Sequence, residues 1–157
     1  IPLETVHYVI EFCYEKGIKI VLNPAPAAAV PMEIIDKVTY VTPNEHEAVL
    51  IFGDKLSTED LLRKYPEKLV ITQGSRGVST CLKDGRILNI PARKAQVVDT
   101  TGAGDTLNGA FSVQIAEGKA IEDALTYANV AASLSTEKFG AQTGMPTAEE
   151  VETELKK

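Results

Sequence analysis

Residues 96–107 read Gln96-Val97-Val98-Asp99-Thr100-Thr101-Gly102-Ala103-Gly104-Asp105-Thr106-Leu107. The short apolar run Gln96–Val98 predicts a strand that ends at Asp99. Leu107, Ala110, Phe111 and Ile115 recur at helical spacing and predict a helix directly after the glycines. Strand, glycine turn and helix in that order form half of a βα unit. Small residues let backbone approach an anion closely, and the first-turn N–H groups of a helix have no intrahelical acceptor. A transferring phosphoryl group fits such a position, with its developing charge stabilised by Gly102, Ala103 and Gly104. Asp105 then sits in the first helical turn, where its carboxylate can accept the proton of an attacking hydroxyl. Taken alone, Asp105 reads as a residue that complements the helix dipole; the whole octapeptide Asp99–Thr106 points to chemistry. A Walker loop is absent, and Leu107 stands where the dinucleotide fingerprint needs its third glycine.

The same alternation extends outward in both directions. Val6, Val9, Ile10 and Cys13 mark one face of a first helix, with Pro2 at its start and Gly17 at its stop. Ile18–Leu22 predicts a strand that Asn23-Pro24-Ala25-Pro26 cannot continue. A short helix is expected around Pro31–Asp36, a strand over Val38–Thr42, and a helix from Asn44 to Gly53. Ser57 with Asp60 caps a helix to about Tyr65. Leu69–Thr72 is the next strand. Val78–Leu82 and Arg86–Ile90 flank Lys83-Asp84-Gly85, a hairpin signal because Asp-Gly tolerates positive φ. Beyond the glycine loop, Ile121, Ala124, Leu125 and Ala128 mark a second helix, and Thr147 with Glu150 caps a last short one. Strands alternating with helices predict an α/β fold with a mostly parallel sheet. Ligands of such sheets bind at the carboxyl ends of strands. Asn23, Asn44, Thr72 and Asp99 each follow a predicted strand directly.

Two further segments carry polar groups at those ends. In Asn44-Glu45-His46-Glu47 the spacing equally suits a reciprocal helix cap, or a phosphate contact by Asn44 with Glu47 ordering water around Mg²⁺. Thr72-Gln73-Gly74-Ser75-Arg76-Gly77 reads as a turn able to cradle a nucleotide, or as a plain β-turn. His7 and His46 are isolated and read as surface or packing residues.

The 157 residues carry 16 Lys+Arg against 22 Asp+Glu, a net charge of −6, with 44% hydrophobic residues. This is the composition of a globular chain long enough for its own core. Net acidity without a basic cluster argues against a nucleic-acid partner, and no apolar run reaches the roughly 18 residues of a membrane-spanning helix. Cys13 and Cys81 have no metal-ligand neighbours and read as buried free thiols. The chain opens without Met, directly into a helical pattern, and is expected to be a piece of a longer protein.

Together these elements resemble the carboxyl-terminal half of ribokinase-type carbohydrate kinases, the PfkB family. The resemblance spans essentially the whole chain. It rests on Leu22-Asn23-Pro24-Ala25-Pro26, Thr42-Pro43-Asn44-Glu45, Thr72–Gly77, Asp99–Thr106 and Gly140-Ala141-Gln142-Thr143-Gly144-Met145-Pro146. It implies a three-layer α/β/α ribokinase-like fold with a small β-hairpin, from which the amino-terminal half and the lid are missing. Residues 1–157 would then be the nucleotide-binding and catalytic portion of that domain. The implied activity is ATP-dependent phosphorylation of the primary hydroxyl of ribose, with Asp105 as general base. Gly102, Ala103 and Gly104 would form the anion hole. Asn44, Thr72, Gln73, Gly74, Ser75, Arg76, Gly77 and Asn129 would contact nucleotide, and Glu47 would hold Mg²⁺ through water. Asp99, Thr101, Ser135, Lys138, Gly140 and Gly144 would hold an activating K⁺, several through carbonyls. The resemblance also implies a cytoplasmic protein that dimerises through the missing lid. Three other readings remain: a kinase of another sugar or of a nucleoside in the same family, a nucleotide-sensing module, which needs the glycines but no base, and a dinucleotide oxidoreductase, which Leu107 disfavours.

Overall fold

A computed structural model of the chain describes residues 1–26 and 30–157. Residues 27–29, which follow the Asn-Pro-Ala-Pro segment, lie outside the described residues. The chain divides into two compact units, one formed by residues 1–71 and 80–87 and the other by residues 72–79 and 88–157.

In the first unit, α1 (Leu3–Glu15) starts at Pro2 and ends before Gly17, whose φ of +67° closes the helix. It buries Ile10 and half-buries Val6 in a cluster with Ile34, Ile35, Leu62 and Leu69, and Cys13 is half-buried. The face is narrower than its spacing predicts. Val9 is 50% exposed and Phe12 48%, so Cys13 lies at the rim of the core, whereas Cys81 is buried as expected. β1 (Val21–Leu22) and β2 (Tyr40–Val41) pair in parallel, Val21 beside Tyr40 and Leu22 beside Val41. Their crossover contains α2 (Met32–Lys37), which buries Ile34 and Ile35. A parallel bridge from Val41 to Leu69 continues the pairing. These strands are shorter than their apolar runs. Ile20 spends its carbonyl on the N–H groups of Thr39 and Tyr40, and its N–H on the Thr39 hydroxyl.

α3 (Glu45–Phe52) is framed by Asn44 and Gly53, and α4 (Thr58–Lys64) by Ser57. β3 (Val70–Thr72) leads through a 3₁₀ turn at Gly74–Arg76 to β4 (Val78–Cys81), then β5 (Ile87–Ile90). The strand order is β3-β4-β5. The β4–β5 turn closes with Leu82 N–H donating to the Arg86 carbonyl, 2.9 Å, and Gly85 sits at φ +83° as the Asp-Gly signal requires.

In the second unit, α5 (Ala103–Ala116) packs against α6 (Ile121–Ser135), and α6 against α7 (Ala148–Leu155). α6 presents a small-residue face, Ala124, Ala128 and Ala131, all buried. Small side chains let helix axes approach, and the fully buried Phe111 of α5 and Leu125 of α6 fill the interior. The expected strand at Gln96–Val98 is not formed. A strand needs a ladder, but here Val98 and Asp99 donate their N–H groups to the Thr136 carbonyl just past α6, at 2.8 and 3.1 Å. Val97 and Val98 are both 61% exposed.

Ser57 caps α4 by accepting the Asp60 N–H at 3.1 Å. Ser57→Ala should cost about 1 kcal/mol of unfolding free energy. Thermal unfolding should register this as a Tm lower by about 2–4 °C.

Candidate functional site

Gly102 caps α5 with φ +80° and ψ 2°, a left-handed conformation that glycine adopts without strain. A methyl group there would lie 3.0 Å from the Ala141 Cβ and 3.1 Å from its Cα. Glycine is therefore demanded twice, by φ and by the close approach of the 140–144 loop. As a cap, Gly102 also brings no side-chain acceptor. Ala103 N–H donates to the Thr100 carbonyl at 3.2 Å, closing the turn. The N–H groups of Gly104 and Asp105 follow it in the first turn, where geometry offers no intrahelical acceptor. Nothing would meet a methyl at Gly104 within 4 Å, so space lies open beside its α-carbon. Asp105 is exposed at the third helical position, beside them.

Asp99 ties this loop together. One carboxylate oxygen accepts the Thr101 N–H at 2.9 Å and the other the Gly140 N–H at 2.9 Å. Hydrogen bonding by Thr101, then by Gly140, holds its carboxyl below the ordinary aspartate range. Gly144 lies beside a cluster of carbonyls. A methyl there would sit 2.7 Å from the Ser135 oxygen, 2.8 Å from the Gly140 oxygen and 3.5 Å from the Lys138 oxygen. Converging carbonyls, with one carboxylate nearby that keeps lone pairs to spare, form an all-oxygen donor set suited to a hard monovalent cation.

The 72–79 segment is equally constrained. Gln73 N–H donates to the Gly77 carbonyl at 2.8 Å. The Ser79 hydroxyl is 2.7 Å from both Gln73 Oε1 and Asn89 Oδ1, sharing one proton between them. The Gln73 side chain is thus turned toward the sheet. Gly77 has φ +96°, and a methyl there would come 2.0 Å from the Ile90 carbonyl oxygen. Ser75 and Arg76 are exposed on the turn. Asn129 is buried, and its amide donates to the Pro91 carbonyl at 2.8 Å. That bond ties α6 to the 90–91 backbone.

In the first unit, Asn44 and Glu47 form the reciprocal cap. Asn44 Oδ1 accepts the Glu47 N–H at 2.9 Å, and Glu47 Oε2 accepts the Asn44 N–H at 2.8 Å. The cap uses the acceptor of the Asn44 amide and leaves its NH₂ donor chemistry for a phosphate. Among the described residues no three His, Cys, Asp or Glu side chains gather as a metal cage. A lone carboxylate such as Glu47 suits Mg²⁺ that keeps its waters.

The sequence reading did not anticipate the Arg93 cluster. Arg93 donates to Glu137 at 2.7 Å and to Glu154 at 2.8 Å. Lys157 and Arg93 together hold the Glu154 carboxyl below its ordinary range. The partners lie 44 and 61 residues from Arg93, so no local spacing signals them. Two shallow clefts of about 390 and 480 Å³ adjoin this cluster. Of the expected site residues they include Lys138 alone.

An α/β chain with a glycine-capped helix opening beside a carboxylate is thus the class of protein at hand. The family model described as pfkB family carbohydrate kinase matches residues 1–148, and the chain belongs to that family. It is 53% identical over 152 residues to a ribokinase of Bacillus subtilis, covering 97% of this chain and 51% of that protein. It is 50% identical over 157 residues to a ribokinase of Lactococcus lactis, covering 99% and 51%. Among solved structures, the Arabidopsis thaliana ribokinase complexed with ribose and ATP matches with a TM-score of 0.88 at 30% identity, covering 99% of this chain and 53% of that one. The chain spans about half the length of the curated relatives it matches.

Asp99 has a lowered folded pKa, so its contribution to stability is fully present above the ordinary aspartate value near 4 and is lost as pH falls through the lowered value. Asp99→Asn carries no such proton. Urea midpoints followed downward from about pH 6 should fall less steeply below about pH 4 in Asp99→Asn than in the unmodified chain.

Proposed function

We propose that the chain is the nucleotide-binding and catalytic half of a longer ATP-dependent sugar kinase that converts D-ribose to ribose 5-phosphate. The observation that carries this reading is the start of α5: a glycine cap without a side-chain acceptor, open first-turn N–H groups, and Asp105 beside them. Asp105 accepts the proton of the primary sugar hydroxyl. The hydroxyl oxygen forms its bond to the γ-phosphorus as the bond to the bridging oxygen breaks, and ADP leaves with that electron pair. The Gly104 and Asp105 N–H groups meet the charge on the transferring phosphoryl oxygens, and Gly102 holds the turn that aims them.

Asn44 donates to the nucleotide phosphates, and Glu47 orders water around Mg²⁺. When bound, that ion neutralises phosphate charge. The 72–77 turn and, through the 90–91 backbone, Asn129 shape the nucleotide site. The Ser135, Lys138 and Gly140 carbonyls with Asp99 suit K⁺, which would brace the loop joining Asp99 to Gly140; Thr101 and Gly144 complete that loop. The source is taken as cytoplasmic, and the full-length protein as a homodimer through a lid outside this chain. Among the described residues no helix is long and apolar enough to cross a membrane.

Ribose is favoured over a related sugar by degree of likeness. Identity is 53% to the Bacillus subtilis ribokinase and 32% to a deoxyribokinase of Salmonella typhimurium. In the full-length enzyme, Asp105→Asn should lower kcat for ribose-dependent ADP formation about 10²- to 10⁴-fold while leaving the Kd for MgADP nearly unchanged. An unchanged kcat would remove Asp105 as the base. The 157-residue chain alone should bind nucleotide weakly and turn over ribose poorly or not at all; robust turnover would refute its being half an enzyme.

A further inference from the structure

The Oδ1 atom of Asn23 is buried and, among the described residues, has no hydrogen-bond partner. Buried carbonyl oxygens without donors are uncommon and call for a physical account. Asn23 follows β1 directly. The parallel register pairs Leu22 with Val41, so Asn23 falls beside Thr42 at the carboxyl edge of the two strands. Thr42 is buried and leads through Pro43 to the Asn44–Glu47 cap.

The local sequence withholds ordinary partners. An asparagine at a strand end commonly accepts from backbone N–H groups just ahead of it. Pro24 and Pro26 have no N–H, and Ala25 N–H does not fill the role. An apolar residue would fill the same space without leaving an acceptor idle, so the acceptor needs another use.

We propose that Asn23 Oδ1 is a ligand-binding acceptor that takes an O–H donor delivered with the bound substrates. A water carried on the MgATP complex and a hydroxyl of the sugar share that chemistry. In the complex that donor satisfies the acceptor. This rests on the kinase reading above.

The test uses the full-length enzyme and its Asn23→Leu variant, with Asn23→Ala as the second variant should the first fail to fold. Calorimetric Kd values are taken for MgADP and for ribose separately, alongside the Tm of the ligand-free protein. The expected result is a ligand-free Tm that is unchanged or higher, since an idle buried acceptor has been removed, with one Kd raised about threefold to tenfold. A raised Kd for MgADP assigns the donor to the nucleotide side; a raised Kd for ribose assigns it to the sugar. Unchanged Kd values for both ligands overturn the proposal, whatever the Tm. If the unmodified enzyme binds neither ligand, the kinase reading fails and this proposal falls with it.

Discussion

At Gly102 the backbone turns left-handed against Ala141, leaving no room for a Cβ. The site-bearing loops of the second unit depend on that contact. The turn lets α5 begin without a side-chain cap, so the first-turn N–H groups face outward for an external acceptor. It also brings the 140–144 loop against the start of α5, where Asp99 then bonds Thr101 on one side and Gly140 on the other. A side chain at the cap would press on Ala141 of the 140–144 loop. The two Asp99 bonds hold the 99–101 turn and the 140–144 loop in one arrangement.

The same economy recurs where polar groups have two uses. Asn44 spends its amide oxygen on the α3 cap, and the NH₂ of the same amide remains a donor. Glu47 spends one oxygen on the Asn44 backbone, and a carboxylate has acceptor capacity beyond that. The capping reading and the functional reading of this segment are therefore compatible.

Features set by neighbours in sequence were legible from sequence. The caps at Asn44, Ser57 and Thr147 each act within three residues, and all three are present. The Lys83-Asp84-Gly85 hairpin depends on one positive φ, which Gly85 supplies. Features that need a distant partner were not legible. Gln96–Val98 has strand composition, but composition cannot say that its N–H groups go to the end of α6. Periodicity located the buried face of α1 but not its width, so Val9 lies outside the core. The glycine turn before α5 was readable, whereas the contact of Gly102 with Ala141 was not, because the two lie far apart in the chain. Asn129 is buried and bonds the Pro91 carbonyl 38 residues away, a contact that no local spacing signals.

The central claim is that the open N–H groups at the start of α5 receive the transferring phosphoryl group. Amide ¹H–¹⁵N shifts of the chain during titration with the magnesium complex of a non-hydrolysable ATP analogue test it most directly, because they tolerate weak binding. The account predicts large shifts at Gly104 and Asp105, with a smaller change at Ala103, whose N–H already bonds Thr100. Saturable binding of the nucleotide with the Gly104 and Asp105 amides unmoved would contradict it.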